Sequence, residues 1–528
     1  MISPPTPAPP EQMSELVTWL GFSALCISMF MAILDIQIVS TSLPEIQAAI
    51  AIQPAEMSWI QTAYLTAEVI AIALTGRLTH AFGLARLSVY ATAGFALASA
   101  GCAGSSGFAS LIGFRILQGL AGGCLIPMVF SAIFLLFDHR RQGMATGIAG
   151  SLAVLAPAIG PLIGGWITDT YSWHWLFLIN IGPSILAVVT VRLTLPRRAV
   201  IWAYLQRLDG IALAAMAISL ACLEIALKEA PRQGWLAPPV LGLWLAVVIA
   251  GYAFCRQGWV AADPIINLQL LRRRDYAVGC SLSFLLGVGL FGASYLLPVF
   301  LGYVRLHTAF EIGQVMLVTG ATQLVVAPLA VWLERQGHHR FLRPHGLSLM
   351  GFLCLSIGLA CSALATFESD FDQLFWPQVL RGTAIMFCLL PPTRLALDGL
   401  PAALVADGSA MFNLMRNLGG AIGLAVIDTI IWQRAPVESA HLVTHLLAGD
   451  AAAARLVGLD TDRFKGVPIA MPDQATQDML RPAIERAGLV IAINEAWLII
   501  GVATLLGAVL VLLPWSSRKK WRLLPESP

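Results

Sequence analysis

A chain of 528 residues that is 58% hydrophobic and only 12% charged, with a mean hydropathy of +0.77, is not a soluble protein built on one large core, because soluble domains are about a quarter charged. Its formal net charge of +2 supplies no field for nucleic acid. Nine cysteines without a CxxC pair give no disulfide framework and no metal site, and read as small buried hydrophobes.

The Pro-rich residues 1–16 carry no Lys or Arg, and the apolar run behind them is too long for a cleaved leader. It is expected to be retained as the first spanning helix. A spanning helix needs about 20 mostly apolar residues, and fourteen stretches qualify. The first six are 17–39, 57–75, 84–104, 108–136, 143–167 and 175–195. A pair follows at 209–227 and 239–255, and six more at 276–302, 310–333, 344–366, 373–396, 406–432 and 488–513. The runs are too continuous for barrel strands. With both termini in the cytoplasm, Arg140-Arg141, Arg197-Arg198, Arg272-Arg273-Arg274 and the tail Arg518, Lys519, Lys520 all fall on the inner side, as the positive-inside rule requires.

The last six spans echo the first six. Arg115 in LIGFRILQGLAGG and Arg381 in FWPQVLRGTAIMF lie at similar depths, and Gly83 with Arg86 matches Gly337 with Arg340 in equivalent loops. The fold expected is all-α and polytopic: a six-helix bundle (1–200), a two-helix insert (201–265) and a second six-helix bundle (266–528) with a long outer loop at 433–487. A binding site between such bundles follows from repeat symmetry.

Acids inside spans are costly, by about 2.5–3.5 kcal/mol at the centre on insertion scales, and mark function by default. Asp35, in MAILDIQIVSTSLPEI, and Glu68, in WIQTAYLTAEVIAI, are the two deepest. Asp35 is expected to face a hollow between the bundles and to take up and release a proton there. A side chain turned to the acyl chains, or locked away from any cleft joining the two six-helix bundles, would collapse the pump reading. Arg115 is its natural partner, with Gln118 and Gly119 on the same helix face. In SLAVLAPAIGPLIGGWITD, Pro157 and Pro161 should bend the span, and Gly160 and Gly164 should let a neighbour approach. Secondary candidates are Arg416, Asn417 and Asp428 in the thirteenth span, with Arg381. Glu224 and Glu495, near the ends of their runs, are expected at the interface.

These stretches resemble the fourteen-span drug:proton antiporters of the major facilitator superfamily, the EmrB/QacA-like branch, over nearly the whole chain. LDIQIVSTSLP is similar to the branch's first-span pattern and puts the family acid at Asp35. FRILQG resembles the fourth-span motif and places the proton-transfer Arg at Arg115. APAIGPLIGGW looks like the antiporter motif, matched at Gly160, Pro161, Gly164 and Gly165, and WHWLFLIN resembles the opening of the sixth span. The gating loop is present as GRLTHAFGLAR (Gly76, His80, Gly83, Arg86), with His80 where the family has Asp, a change that makes the latch neutral or pH-dependent. Ala156 and His174 also depart from the pattern.

The resemblance implies an inner-membrane exporter of small amphipathic compounds, driven by the proton motive force and needing no bound cofactor or metal. It also implies a periplasmic adaptor and an outer-membrane channel as partners the outer loop could meet. An importer or facilitator of a small metabolite is the alternative within transport, disfavoured by the antiporter motif. An integral membrane enzyme or sensor is the alternative outside it. The chain has no HExxH, GxSxG, P-loop or ligand-spaced His cluster, and no long cytoplasmic domain.

Overall fold

The computed structural model describes residues 14–51, 59–202, 209–261, 264–335, 343–398, 400–461, 464 and 473–512. All regular structure among them is helical, as the composition requires: in lipid, helices satisfy every backbone group internally. The first half comprises α1 (Glu15–Thr41), α2 (Leu43–Ile50), α3 (Trp59–Phe82), α4 (Leu84–Ala103), α5 (Phe108–Leu136), α6 (His139–Thr170), α7 (Trp175–Leu178) and α8 (Ile181–Thr194). The insert is α9 (Gly210–Gln233) and α10 (Pro238–Val260). The second half comprises α11 (Arg274–Val299), α12 (Ala309–Arg335), α13 (Pro344–Ser362), α14 (Phe371–Leu397), α15 (Ala402–Leu447), α16 (Ala451–Val457) and α17 (Gln474–Leu512).

Among the described residues eleven helices are long and apolar enough to cross a membrane, and the bent α6 makes a twelfth. The expected second and third spans are helices of 24 and 20 residues, α3 and α4, that fall outside that set. Both carry charge: α3 holds Glu68 and Arg77, and α4 holds Arg86. The bend in α6 is 45°, between Pro157 and Leu162, where two prolines remove backbone bonds. The side chain of Pro161 lies outside the described residues, as do Gly337 and Arg340 of the expected loop repeat.

The neighbours repeat between halves. α1 packs on α6 and α8, α3 on α5, and α4 on α5 and α8; likewise α11 packs on α15 and α17, α12 on α14, and α13 on α14 and α17. The halves meet along α6 against α12 and α3 against α15. The insert joins that seam through α9, which touches both α3 and α15, while α10 packs on α9 and is largely lipid-facing. Small residues set the closest crossings. A Cβ on Gly119 or Gly123 of α5 would run into the backbone carbonyl of Tyr64 or Glu68 on α3, and one on Gly287 or Gly419 would strike the carbonyl of Arg416 or Phe284 where α11 meets α15.

The stretch expected as an outer loop is mostly helix. α15 runs unbroken to Leu447 and α17 begins at Gln474, so both spans project as a packed pair. Leu442, Leu446, Ala453, Ala454, Val457 and Ala487 form a small apolar core there, and Arg434 bridges to Glu495 with two hydrogen bonds of 2.8 and 2.9 Å. The alanine-rich run 451–457 favours helix, and its own apolar contacts keep it folded. All nine cysteines are free. Cys255 and Cys361 are exposed rather than buried, because they sit on helix faces that no other helix covers.

Candidate functional site

Two polar sites result, one sealed inside the first half and one open at the seam. In the first, Asp35 on α1 is completely buried. Its Oδ2 accepts from Arg115 Nη1 at 2.6 Å, and its Oδ1 accepts from Gln118 Nε2 at 2.9 Å and Asn180 Nδ2 at 2.7 Å. Arg115 also donates to Gln118 Oε1 at 2.7 Å and, through Nε, to the Ile60 carbonyl at 3.1 Å. Its guanidinium lies 4.4 Å from the centre of the Tyr64 ring and 5.7 Å from that of Phe177. Ser99 accepts from Gln118 at 2.8 Å. The carboxylate is paired and accepts three hydrogen bonds, as a low dielectric demands of buried charge, while Arg115 Nη2 and Asn180 Oδ1 have no partner.

The second site is a cavity of about 100 Å³ between the halves. Its walls are mainly apolar, with Gln37 of α1, Glu68 of α3, Glu224 of the insert, and Arg416 and Asn417 of α15 as the charged and amide groups on it. Glu68 is 2% exposed and its Oε1 has no hydrogen-bond partner. Arg416 donates to Asn413 Oδ1 at 2.5 Å and sits 5.6 Å above the Phe130 ring. A side cavity of about 30 Å³ adjoins it, sharing Pro157, Leu290, Ser294 and Ile385 as walls and carrying Gln323, Gln378 and Arg381.

The expectation that Asp35 faces the hollow between the bundles is therefore corrected, and with it the pump reading insofar as it rested on Asp35. Ile33, Ile36 and Gln37 of α1 line the central cavity, and Asp35 points into the bundle, where donors from α5 and α8 compensate its charge. The pairing of Asp35 with Arg115 and Gln118 is as the sequence suggested. Glu68 does reach the cavity. Glu224, expected at the interface, reaches it too, because α9 is wedged into the seam. The sequence reading left Asn180 and Ser99 unassigned. Asn180 is the final residue of the WHWLFLIN block, and its polarity inside an apolar run was the available signal.

The gating residues cluster where α3 meets α15. A Cβ on Gly76 would lie 3.0 Å from Asp407 Cα, and His80 Nε2 is 3.4 Å from Asp407 Oδ1. His80, where the resemblance expects Asp, thus faces an acid on the opposite half. Gly83 has φ +75° in the turn between α3 and α4, a conformation that favours glycine. Arg86 is half-buried beside it. In α6, Pro157 lines both cavities, a Cβ on Gly160 would collide with Gln37 of α1, and Gly164 and Gly165 are buried. Asp428 stands apart from the others and accepts from Tyr295 Oη at 2.7 Å.

Comparison with known proteins agrees with this architecture. Residues 25–424 match the Major Facilitator Superfamily description. The chain is 38% identical to the Colistin resistance protein EmrB of Acinetobacter baumannii over 78% of this chain and 80% of that one. It is 30% identical to the Multidrug export protein EmrB of Escherichia coli K12 over 92% and 93% of the two chains. Its fold resembles that of the proton:xylose symporter XylE, with a TM-score of 0.57 at 13% identity over 94% of this chain and 95% of that one.

Proposed function

Since the chain belongs to the Major Facilitator Superfamily, we propose that it is a multidrug exporter of the inner membrane that moves amphipathic organic compounds outward in exchange for protons. The observation that carries this reading is the mainly apolar cavity at the seam of the two halves, with the buried carboxyl of Glu68 on its wall. An apolar hollow accepts varied organic bodies. A carboxyl there, without a compensating cation in contact, can be neutral or charged, and so can exchange a proton against a substrate. The relatives named above are described as a colistin resistance protein and a multidrug export protein, which supports export over import.

Within this reading Glu68 is the carboxyl that meets substrate and solvent. The Asp35–Arg115 pair is the buried charge whose rearrangement accompanies switching between access states. The His80–Asp407 contact closes the α3–α15 seam. The two six-helix halves (1–200 and 266–528) rock about the cavity, with the insert (201–265) travelling along α9. Both termini lie in the cytoplasm, following the placement of the basic loops. The proton motive force drives the cycle. The projecting helices of α15 and α17 are the surface for a periplasmic adaptor that leads to an outer-membrane channel.

The test is uptake of the neutral dye N-phenylnaphthylamine by inverted membrane vesicles. Uptake should require an imposed proton gradient and collapse with a protonophore. Gradient-driven uptake in right-side-out vesicles instead would make the protein an importer.

A further inference from the structure

The two halves treat their equivalent arginines differently. In the first half Arg115 meets Asp35 at 2.6 Å. In the second, Arg381 on α14 is 3% exposed, and among the described residues it makes no ion pair. Its Nη2 donates to Gln378 Oε1, while Nε and Nη1 have no partner. The neighbours are orphaned as well. Gln378 Nε2 has no acceptor, and neither amide atom of the fully buried Gln323 on α12 has a partner. Gln378 Oε1 is already taken by Arg381 and Thr319.

A buried cation without an anion is among the costlier features a fold can hold, at several kcal/mol even after relaxation. Here four of the five unmet atoms are N–H donors, Gln323 Oε1 being the acceptor, and the three residues line one small cavity. Donors around a fixed guanidinium match a planar carboxylate, which an arginine can bind through two parallel hydrogen bonds. Size fits the same ligand. The side cavity, about 30 Å³, exceeds the 10–15 Å³ or so that one water needs, which suits a head group rather than a drug body. It shares four walls with the larger apolar cavity, about 100 Å³ in volume. The acids Glu68 and Glu224 line that larger cavity and are not on the walls of the smaller one. Arg416, by contrast, is already held by Asn413 and Phe130.

We propose that the side cavity of Arg381, Gln378 and Gln323 is the head-group subsite for an amphipathic organic carboxylate whose apolar body lies in the central cavity. This rests on the transport reading above and names one substrate class for it. The ligand's carboxylate takes the place at Arg381 that Asp35 fills at Arg115.

The experiment measures binding of tritiated naphthaleneacetate and of the neutral analogue naphthaleneethanol to the full-length protein in lipid nanodiscs. The wild type should prefer the carboxylate by roughly tenfold or more, as charged hydrogen bonds imply. Arg381→Met should lose roughly 10- to 100-fold of carboxylate affinity with the alcohol unchanged, and Arg381→Lys should lie between. The unliganded Arg381→Met protein should melt at the same temperature as wild type or higher, because the uncompensated charge is gone. Unchanged carboxylate affinity in Arg381→Met overturns the proposal. So does an equal loss of both ligands, or a lowered melting temperature without ligand. Vesicle uptake of N-phenylnaphthylamine runs in parallel: its absence in the wild type defeats the transport reading, while the binding series still decides the subsite.

Discussion

Replacing Asp35 with Asn tests whether the sealed cluster is a paired charge or merely a polar packing element. The substitution keeps the shape and still offers an acceptor to Gln118 and Asn180, which now donate at 2.9 and 2.7 Å. It removes the only carboxylate within salt-bridge distance of Arg115 among the described residues, and neither side chain has any exposed area. Removing one partner of a buried pair costs about 3–5 kcal/mol, a shift of roughly 100- to 4,000-fold in the folding equilibrium. Arg115→Met should cost about as much, since it strands Asp35 instead. The double variant should not sum the two. With both charges gone it should lie within ~1–2 kcal/mol of the wild type, an interaction energy of several kcal/mol. Thermal melting of the purified protein, with size-exclusion profiles as a check on folding, gives the ranking. Additive losses, or an Asp35→Asn protein as stable as wild type, would refute the buried-pair argument.

Glu68→Gln should leave stability within about 1 kcal/mol, because the Oε1 it replaces has no partner to lose; gradient-driven dye accumulation should fall to background while exchange of labelled dye across the membrane persists, and continued accumulation would remove Glu68 from the coupling role. Gly123→Ala should lower the melting temperature, by the equivalent of about 1–3 kcal/mol, because the added carbon meets the Glu68 carbonyl and lies 2.9 Å from Ala71 Cβ. Gly113→Ala on the same helix, with nothing within 4 Å, should be neutral or stabilising, and equal effects would show that the α3–α5 crossing is not limiting. Outside the spans, burial pushes the Asp370 carboxyl up, but hydrogen bonds from Arg305, His307 and the Phe371 amide outweigh it and hold the group down at about 2. Asp370→Asn should therefore lose a stabilisation that is fully present above the unfolded carboxyl value of about 3.9 and that wild type loses as pH falls through about 2. Melting curves from pH 7 to pH 2 should converge for the two proteins at the acid end, and parallel curves would contradict the assignment.

The sequence made the helical class, the bend of α6 and the Asp35–Arg115–Gln118 grouping legible for physical reasons. Long apolar runs admit one structure in lipid, prolines four apart break backbone bonds, and residues three apart share a helix face. The direction of Asp35 was hidden because α1 is apolar on all sides. Ile33, Ile36 and Gln37 face the cavity, and one or two residues of rotation separate that face from the one that meets α5. A helix with no polar stripe does not announce which side is which. Glu224 was misread for a related cause. Its depth follows from where α9 packs between α3 and α15, a tertiary fact absent from the local run. The outer stretch 433–487, expected to be partly helical, had indistinct helix bounds because its charges pair, as Arg434 does with Glu438 and Glu495, rather than forming an apolar stripe.

The placement of the two acids also constrains how protonation could drive a change of shape. Asp35 and Glu68 do not share a cavity, so a proton arriving at Glu68 cannot reach the Asp35–Arg115 pair through open space in this conformation. Solid contact joins them. Arg115 holds the Ile60 carbonyl on α3 and lies over Tyr64 one turn later. Glu68 follows one further turn along the same face. Gly119 and Gly123, one and two turns beyond Arg115, bring the α5 backbone against Tyr64 and Glu68 themselves. The segment of α3 from Ile60 to Glu68 is thus clamped at its N-terminal part by the ion pair and along its length by α5. Backbone pressed on backbone has little freedom to deform locally, so α3 and α5 must move as one body relative to α15. Under the proposed exchange, a charge change on Glu68 beside Arg416 would alter the attraction across that seam, and the clamp would hand the resulting motion to the sealed pair. Coupling by this route needs two arrangements of one rigid unit, and the close α3–α5 crossing supplies the rigid unit.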